Sequence, residues 1–422
     1  MNSTATLERV YGERQRKIVS KILDKNITFT EHDPLDNTMV LNMGPQHPAT
    51  HGVLRVLLRL DGERVEKCIP ELGYLHRGYE KLAENITYHE FIPHTDRLDY
   101  LSPMSNNVAC ALSVEKAIGI NAPHRAQWIR TLICELARIS SHLMAMGAMA
   151  MDVGAVTMLL WTFREREKLY DIFEKICGAR FTTSYSRIGG VANDFVPEVI
   201  PMIKDFISQF PKQLSDFEGL INRNRIFMDR IEGLGVISAK DAISLGLTGP
   251  CLRGSGVAHD LRRDEPYLLY PELDFDVITY TDGDCLSRYL VRGDEMKESI
   301  KLVNQLLNMN PQGAIIADEA KYSLPHKQEV YTKMEELIHD FMLVNFGAMP
   351  EKGEIYQAIE SPKGELGFYI CSDGTGHPWR MKIHSPSFCN LQALQVMCEG
   401  AMISDVVAII GSLDPVMGEA DK

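Results

Sequence analysis

No CxxC pair occurs anywhere in this 422-residue chain. Its nine cysteines, at 68, 110, 134, 177, 251, 285, 371, 389 and 398, are scattered, which removes the close-spaced thiolates that a zinc ribbon or an iron-sulfur cluster needs. They read as small buried apolar residues in a reducing compartment. Runs of Lys and Arg are missing too. With 44 basic against 57 acidic residues the formal charge is −13, and a phosphate-binding surface has nothing to build on, so nucleic acid is excluded as a partner. Neither a dinucleotide fingerprint nor a Walker loop is present, so nothing in the chain binds NADH, FMN or F420. The start, MNSTATLERVYGERQRKIV, is too charged for a secretory signal, which places the chain on the cytoplasmic side.

What is there is an ordinary globular composition, 45% hydrophobic and 24% charged, enough for one large core or two to three smaller ones. Residues 144–161, MAMGAMAMDVGAVTMLLW, need a membrane test because their single charge is Asp152. A spanning helix takes about 20 apolar residues, and an acid at the bilayer centre costs about 2.5–3.5 kcal/mol. The expectation is therefore a buried helix in a bundle, flanked by amphipathic segments over 123–142 and 162–176. Asp152 becomes a buried carboxylate that is either structurally paired or held beside a titrating partner such as His.

Periodicity organises the chain. Residues 39–42 and 53–60 read as strands around a loop, the second followed by an Asp61-Gly62 turn of hairpin type. From about 123 to 307 the helical period dominates, with Pro123 at a helix start and Gly/Pro-rich loops at 187–193, 246–256 and 266–274. Beyond 312 the signal is mixed: an amphipathic helix over 327–346, a β-like piece around 365–371, a loop over 372–387 and an apolar helix over 391–410. The expected fold class is α+β. It comprises an N-terminal extension (1–35), a β-rich N-terminal α/β domain (36–122), a central antiparallel helical bundle (123–310) and a C-terminal mixed segment (311–422).

Two loops hold proton-transfer groups on rigid turns. GPQHPATHG (44–52) carries His47 and His51, and DRLDYLSPMSNN (96–107) carries Asp99 and Tyr100 among Pro and Asn. The four-residue spacing of His47 and His51 is that of a helical zinc pair, but Pro48 and Gly52 oppose a helix and no HExxH glutamate accompanies them. His89 and His94, near Glu90 and Asp96, permit a metal without specifying one. Alone, Tyr100 reads as a hydrogen-bonded structural aromatic, and Arg77 in ELGYLHRGYEKLAE as a salt-bridging neighbour of Glu80.

Together the segments carry a resemblance. GPQHPATHGVLRV, ELGYLHRGYEKLAE, HTDRLDYLSPMSNN, ESPKGELGFY (360–369) and SLDPVMGEAD (412–421) resemble, in this order and from about residue 35 to the end, the 49 kDa (D) subunit family of the proton-pumping NADH:quinone oxidoreductase, respiratory complex I. That family is related to the large subunit of NiFe hydrogenases, whose metal sits on two CxxC pairs, so the resemblance implies a hydrogenase-large-subunit-like fold. It sets Asp99 and Ser102 at one pair of thiolate positions and Val416 and Glu419 at the other. With all four soft ligands replaced, hydrogen chemistry on nickel and iron is excluded and no metal is expected.

For function, the resemblance implies a quinone cavity shared with a small neighbouring subunit that carries a 4Fe-4S cluster. This chain alone then holds no cofactor and takes quinone as substrate. Quinone reduction consumes two electrons and two protons, and each developing oxyanion needs a donor. His51 and Tyr100 are implied as those donors, with reference pKa values of about 6.5 and 10. Asp152 is implied as the carboxylate that orients His51 and raises its pKa.

His47, Asp99, Met104 and Val416 are implied as support for the pocket, Met104 either lining it or simply packing. Arg77 and Arg97 are implied close to the neighbouring cluster, where positive charge favours its reduced form. Thr182 departs from the pattern: many ubiquinone-using relatives carry His there, and Thr does not titrate near pH 7. A weaker pH dependence of the cluster potential and a low-potential quinone such as menaquinone are the expectations. The implied partners are the small 4Fe-4S subunit, a 30 kDa-type subunit and a membrane-arm subunit. They place the chain peripherally on the cytoplasmic side of the bacterial inner membrane, without a transmembrane segment and coupled to proton translocation. Apolar surface is expected to face those neighbours, and the residues after Asp414-Pro415 to be tucked in. Two alternatives stand: the same quinone module in a ferredoxin- or F420-dependent complex, and a non-catalytic scaffold that keeps the ancestral fold.

Overall fold

The stretch VLRVLLRL alternates imperfectly because its strand is covered on both faces. In the computed structural model, which describes residues 38–319 and 321–422, β1 (Thr38–Met43), β2 (Arg55–Asp61) and β3 (Arg64–Glu71) form an antiparallel sheet with β2 in the centre. Val56, Leu57 and Leu58 of β2 are all buried. The expected hairpin is present: Asp61 pairs with Arg64, and Gly62 takes the left-handed φ of +60° that a two-residue turn requires. The extension assigned to 1–35 lies outside the described residues.

Helices supply most of the rest. After a short capped helix at Tyr88–Thr95 come α1 (Pro103–Ile118), α2 (His124–Asp152), α3 (Val156–Cys177), α4 (Val199–Ile221) and α5 (Cys285–Met309). Residues 144–161 are not one helix, contrary to the expectation from their apolarity. Val153, Gly154 and Ala155 interrupt them, with Gly154 at φ +99° and the turn closed by Gly154 N–H to Met151 O and Ala155 N–H to Ala150 O, both 2.8 Å. The glycine supplies the turn at no steric cost, and its apolar surroundings conceal it from a periodicity reading. So short a connection folds α3 back antiparallel to α2, and α5 and α4 pack on α2 and α3 respectively. Asp152 thereby falls at the last turn of α2 rather than inside a helix.

Further on, the helix expected over 327–346 is broken into a turn at Lys327–Val330 and α6 (Met334–Phe346). A second antiparallel sheet follows: β4 (Gly353–Ser361), β5 (Gly364–Ser372) and β6 (Pro378–His384). Its third strand lies in what reads as a loop. Met381 and Ile383 point inward between exposed Arg380 and Lys382, a period-2 signal hidden by the flanking Gly, Pro and Ser. The apolar helix expected over 391–410 is likewise interrupted, ending in α7 (Ile403–Leu413). At the break Gly400 N–H donates to Val65 O and Val65 N–H to Ala401 O, both 2.8 Å, so the interruption lets the chain hydrogen-bond to β3. A last turn, α8 (Met417–Ala420), is buried.

Two apolar clusters fill the interior: one runs from Met43 and Leu54 through Trp128, Leu143, Phe210 and Met296 to Ile410 and Met417, and a second joins Ile359, Phe368 and Met381 of the second sheet to Phe91 and to Val114 of α1. Within the protein a buried ionic network fixes β4 against α2 and α5. Arg253 pairs with Glu295 (2.8 Å) and Glu360 (2.7 Å), Arg262 with Asp260 (2.7 Å), and Arg138 Nη2 donates to the Glu360 carbonyl at 2.6 Å. Charges this deep require such pairing, and the network sets the position of the β4–β5 turn. Among the described residues no helix is long and apolar enough to cross a membrane.

Candidate active site

The GPQHPATHG loop is a built turn. Thr50 Oγ1 donates to the carbonyls of His47 (2.9 Å) and Gly52 (3.1 Å), and His51 follows in the left-handed region at φ +50° with Gly52 at +117°. This turn brings His51 Nε2 to 2.6 Å from Asp152 Oδ2, with the two side chains only 13% and 5% exposed. Burial alone lowers the imidazole pKa, but the hydrogen bond and charge of Asp152, aided by Asp414, outweigh it and raise the pKa above its usual 6.5. The pair is also shaped from the far side. A Cβ on Gly411 of α7 would stand 2.8 Å from Asp152 Oδ2 and 3.6 Å from His51 Nε2, so only glycine leaves the pair its room.

The Tyr100 loop is held by the polar residues that open α1. Asn106 Nδ2 donates to the Asp99 carbonyl (2.9 Å), and Asn107 Nδ2 to Asp96 Oδ1 (2.8 Å), whose other oxygen accepts from the Ser184 hydroxyl at 2.6 Å. Asp99 accepts from Leu101 N–H at 3.0 Å, an Asx turn that fixes the intervening tyrosine. Tyr100 is half-buried, its ring centroid 6.2 Å from that of Phe181. Burial first and the neighbouring Asp99 second push its phenol pKa up, so it stays protonated.

Both groups feel one buried ion pair. Lys363 Nζ, on the β4–β5 turn, lies 2.6 Å from Asp414 Oδ2 and 3.2 Å from Ser141 Oγ, and its charge and that of Asp414 act on His51 and on Tyr100 alike. The C-terminal motif closes the site and is tucked in as expected. Val416 N–H donates to Ser387 Oγ (3.2 Å), Glu419 accepts from the Ser387 N–H (3.2 Å) and hydroxyl, and Asp421 accepts from Gly73 N–H (2.6 Å) and Leu75 N–H (2.8 Å).

The remaining sequence candidates fall elsewhere. His47 is exposed on the turn, and Met104, 1% exposed, belongs to the apolar cluster. Arg77 and Arg97 meet on an exposed face, where Arg77 Nη2 donates to the Arg97 carbonyl at 2.6 Å. Thr182 is half-buried beside Phe181, and Val416 is buried. Among the described residues no group of three or more His, Cys, Asp and Glu is arranged to hold a metal ion. His89 meets the Tyr322 carbonyl at 3.1 Å and is pushed down to about 4 by burial, while His94 stacks on Phe91. Lys363, Gly411 and Ser387 went unmarked by sequence reasoning; a lysine in a hairpin turn is usually exposed, and nothing local signals its burial.

The arrangement presents a raised-pKa imidazole and a protonated phenol around a buried charge pair, suited to delivering protons to a substrate whose oxygens gain negative charge. Comparison with known proteins gives the family. The family described as "Respiratory-chain NADH dehydrogenase, 49 Kd subunit" matches residues 152–422. This chain belongs to that family. Among its 49 kDa-family relatives is an NADH-quinone oxidoreductase (D) subunit, numbered 1, of Chloroherpeton thalassium, 60% identical over 399 residues (94% of this chain, 91% of the relative). The corresponding NADH-quinone oxidoreductase chain of Salinibacter ruber is 58% identical over 394 residues (93% and 87%), and that of Methylacidiphilum infernorum 55% over 389 residues (92% and 93%). As a 49 kDa-family chain it is one component of a multisubunit NADH:quinone oxidoreductase.

Proposed function

We propose that this protein forms the quinone-reducing pocket of its complex. His51 and Tyr100 deliver protons to the two quinone oxygens, while electrons come from a 4Fe-4S cluster in a small neighbouring subunit and the reaction is coupled to proton translocation. The single observation that carries this reading is the His51–Asp152 contact at 2.6 Å. A carboxylate so placed orients the ring and keeps the imidazolium populated, which is what a proton donor near neutral pH needs.

Asp99 and Val416 support the pocket, His47 supports the turn, and Met104 has the burial of a packing residue. The exposed Arg77–Arg97 face suits the neighbouring cluster, whose reduced form a fixed positive charge favours. The fold that sets these parts is taken as NiFe-hydrogenase large-subunit-like, with the metal positions replaced by Asp99, Ser102, Val416 and Glu419. Partners are the small cluster subunit, a 30 kDa-type subunit and a membrane-arm subunit, with the chain peripheral on the cytoplasmic side of the bacterial inner membrane.

Tyr100→Phe in the assembled complex tests the reading. Quinone reduction should fall on the order of 100-fold, while electron flow from NADH to a water-soluble artificial acceptor is kept. Unchanged quinone reduction would favour a scaffold instead.

A further inference from the structure

Two carboxylates in this site form no ion pair with a cation among the described residues. Asp99 is 1% exposed and Glu419 fully buried; each has one oxygen satisfied, by Leu101 N–H and by Ser387 respectively. Asp99 Oδ2 and Glu419 Oε2 are buried and find no hydrogen-bond partner among the described residues. The nearby base Lys363 is in contact with Asp414 at 2.6 Å, and Arg166 of α3 is turned to Ser140 (3.3 Å) and Tyr170 (2.6 Å). The groups facing Asp99 are thus Lys363, Asp414, Arg166, Tyr100 and Glu419; those facing Glu419 are Asp99, Lys363 and Ser387, and its charge also acts on Cys389 and Lys422.

Two like charges in a dry site, with Lys363 matched by Asp414 and Arg166 turned to Ser140 and Tyr170, do not both stay ionised. A proton resolves the conflict and turns an orphaned oxygen into a donor. The electrostatics agree: Glu419 is pushed up to about 8, by burial first and then by the charge of Asp99, and burial likewise pushes Asp99 up.

We propose that Asp99 and Glu419 jointly carry one exchangeable proton at neutral pH, and that this proton restores the Tyr100 phenol after it has protonated the reduced quinone. The proposal rests on the quinone-pocket reading of Tyr100 given above. The balance is simple. The quinone takes two electrons from the partner's cluster and two protons, one from His51 and one from Tyr100. One proton then passes from the carboxyl pair to the phenolate, which becomes a phenol again, and solvent returns one proton to the pair and one to His51.

Infrared difference spectroscopy on the whole complex reads the pair directly. A protonated-carboxyl C=O band should titrate near pH 8 in the natural enzyme, about where Glu419 is placed. It should vanish in Glu419→Gln and move to lower pH in Asp99→Asn, which removes the negative neighbour. Steady-state quinone reduction by Glu419→Gln should fall at least about tenfold while its first turnover, drawing on the phenol already loaded, is kept. A band unaltered in Glu419→Gln, or a steady-state rate that does not change, overturns the proposal. A fully active Tyr100→Phe complex overturns the pocket reading beneath it, and the band, which needs no turnover, tells the two failures apart.

Discussion

His51 Nε2 and Asp152 Oδ2 lie 2.6 Å apart although 101 residues separate them in sequence. The pair therefore joins a turn at one end of the chain to the last residue of α2, and its protonation depends on both.

Asp152→Asn removes the charge that holds the imidazole pKa up and leaves the burial that pushes it down. The folded-state pKa is raised, so the imidazolium persists above pH 6.5 and is lost as pH rises through the raised value; in the variant it is lost at lower pH. Quinone reduction at pH 7 should fall about 10- to 100-fold, and the alkaline limb of the pH–rate profile should shift to lower pH. A limb that does not move would show that His51 is not the titrating donor.

Gly411→Ala sets two effects against each other. Alanine favours a helix by about 1 kcal/mol over glycine, but its methyl meets Asp152 Oδ2 at 2.8 Å, and overpacking costs about 1–3 kcal/mol. Thermal stability should change little or fall slightly. The pH–rate profile should shift to lower pH as the displaced carboxylate loosens its hold on His51, and the combination of the two readouts distinguishes positioning from unfolding.

Lys363→Met leaves Asp414 buried without its cation, a loss on the order of 3–5 kcal/mol. The protein should assemble poorly and melt early. Lys363→Met with Asp414→Asn removes both charges and should recover much of that stability, though not the electrostatic influence on Tyr100. Melting of purified complexes checks both, and a double variant no better than the single one counts against the pairing argument.

Thr182 has no proton to exchange near neutral pH. Thr182→His, half-buried beside Phe181, should make the potential of the proposed neighbouring cluster more pH-dependent than in the natural complex. A redox titration across pH 6–8 gives the answer, and a full proton-coupled slope already present with Thr182 would refute the premise.

Much of this was legible because local chemistry and tertiary structure agree. The Asp61-Gly62 hairpin, the helix after Pro123 and the covered side chain of Asp152 all follow from residue type and spacing. Three misreadings share a cause: glycine or hairpin punctuation embedded in apolar or loop-like sequence. Gly154 splits the Met-rich stretch, Gly400 frees the chain to bond to β3, and β6 hides behind its Gly/Pro/Ser flanks. Lys363 was illegible for another reason. Its burial is imposed by the network around Glu360, which binds residues more than 200 positions apart, and no window of sequence contains that information.

The helix α6 turns Leu337, Ile338, Phe341, Met342, Val344 and Phe346 toward water, with Leu343 alone buried. Preparations of the lone polypeptide should accordingly clump at working concentrations, and co-expression with companion chains is the sensible route to material for any of these experiments.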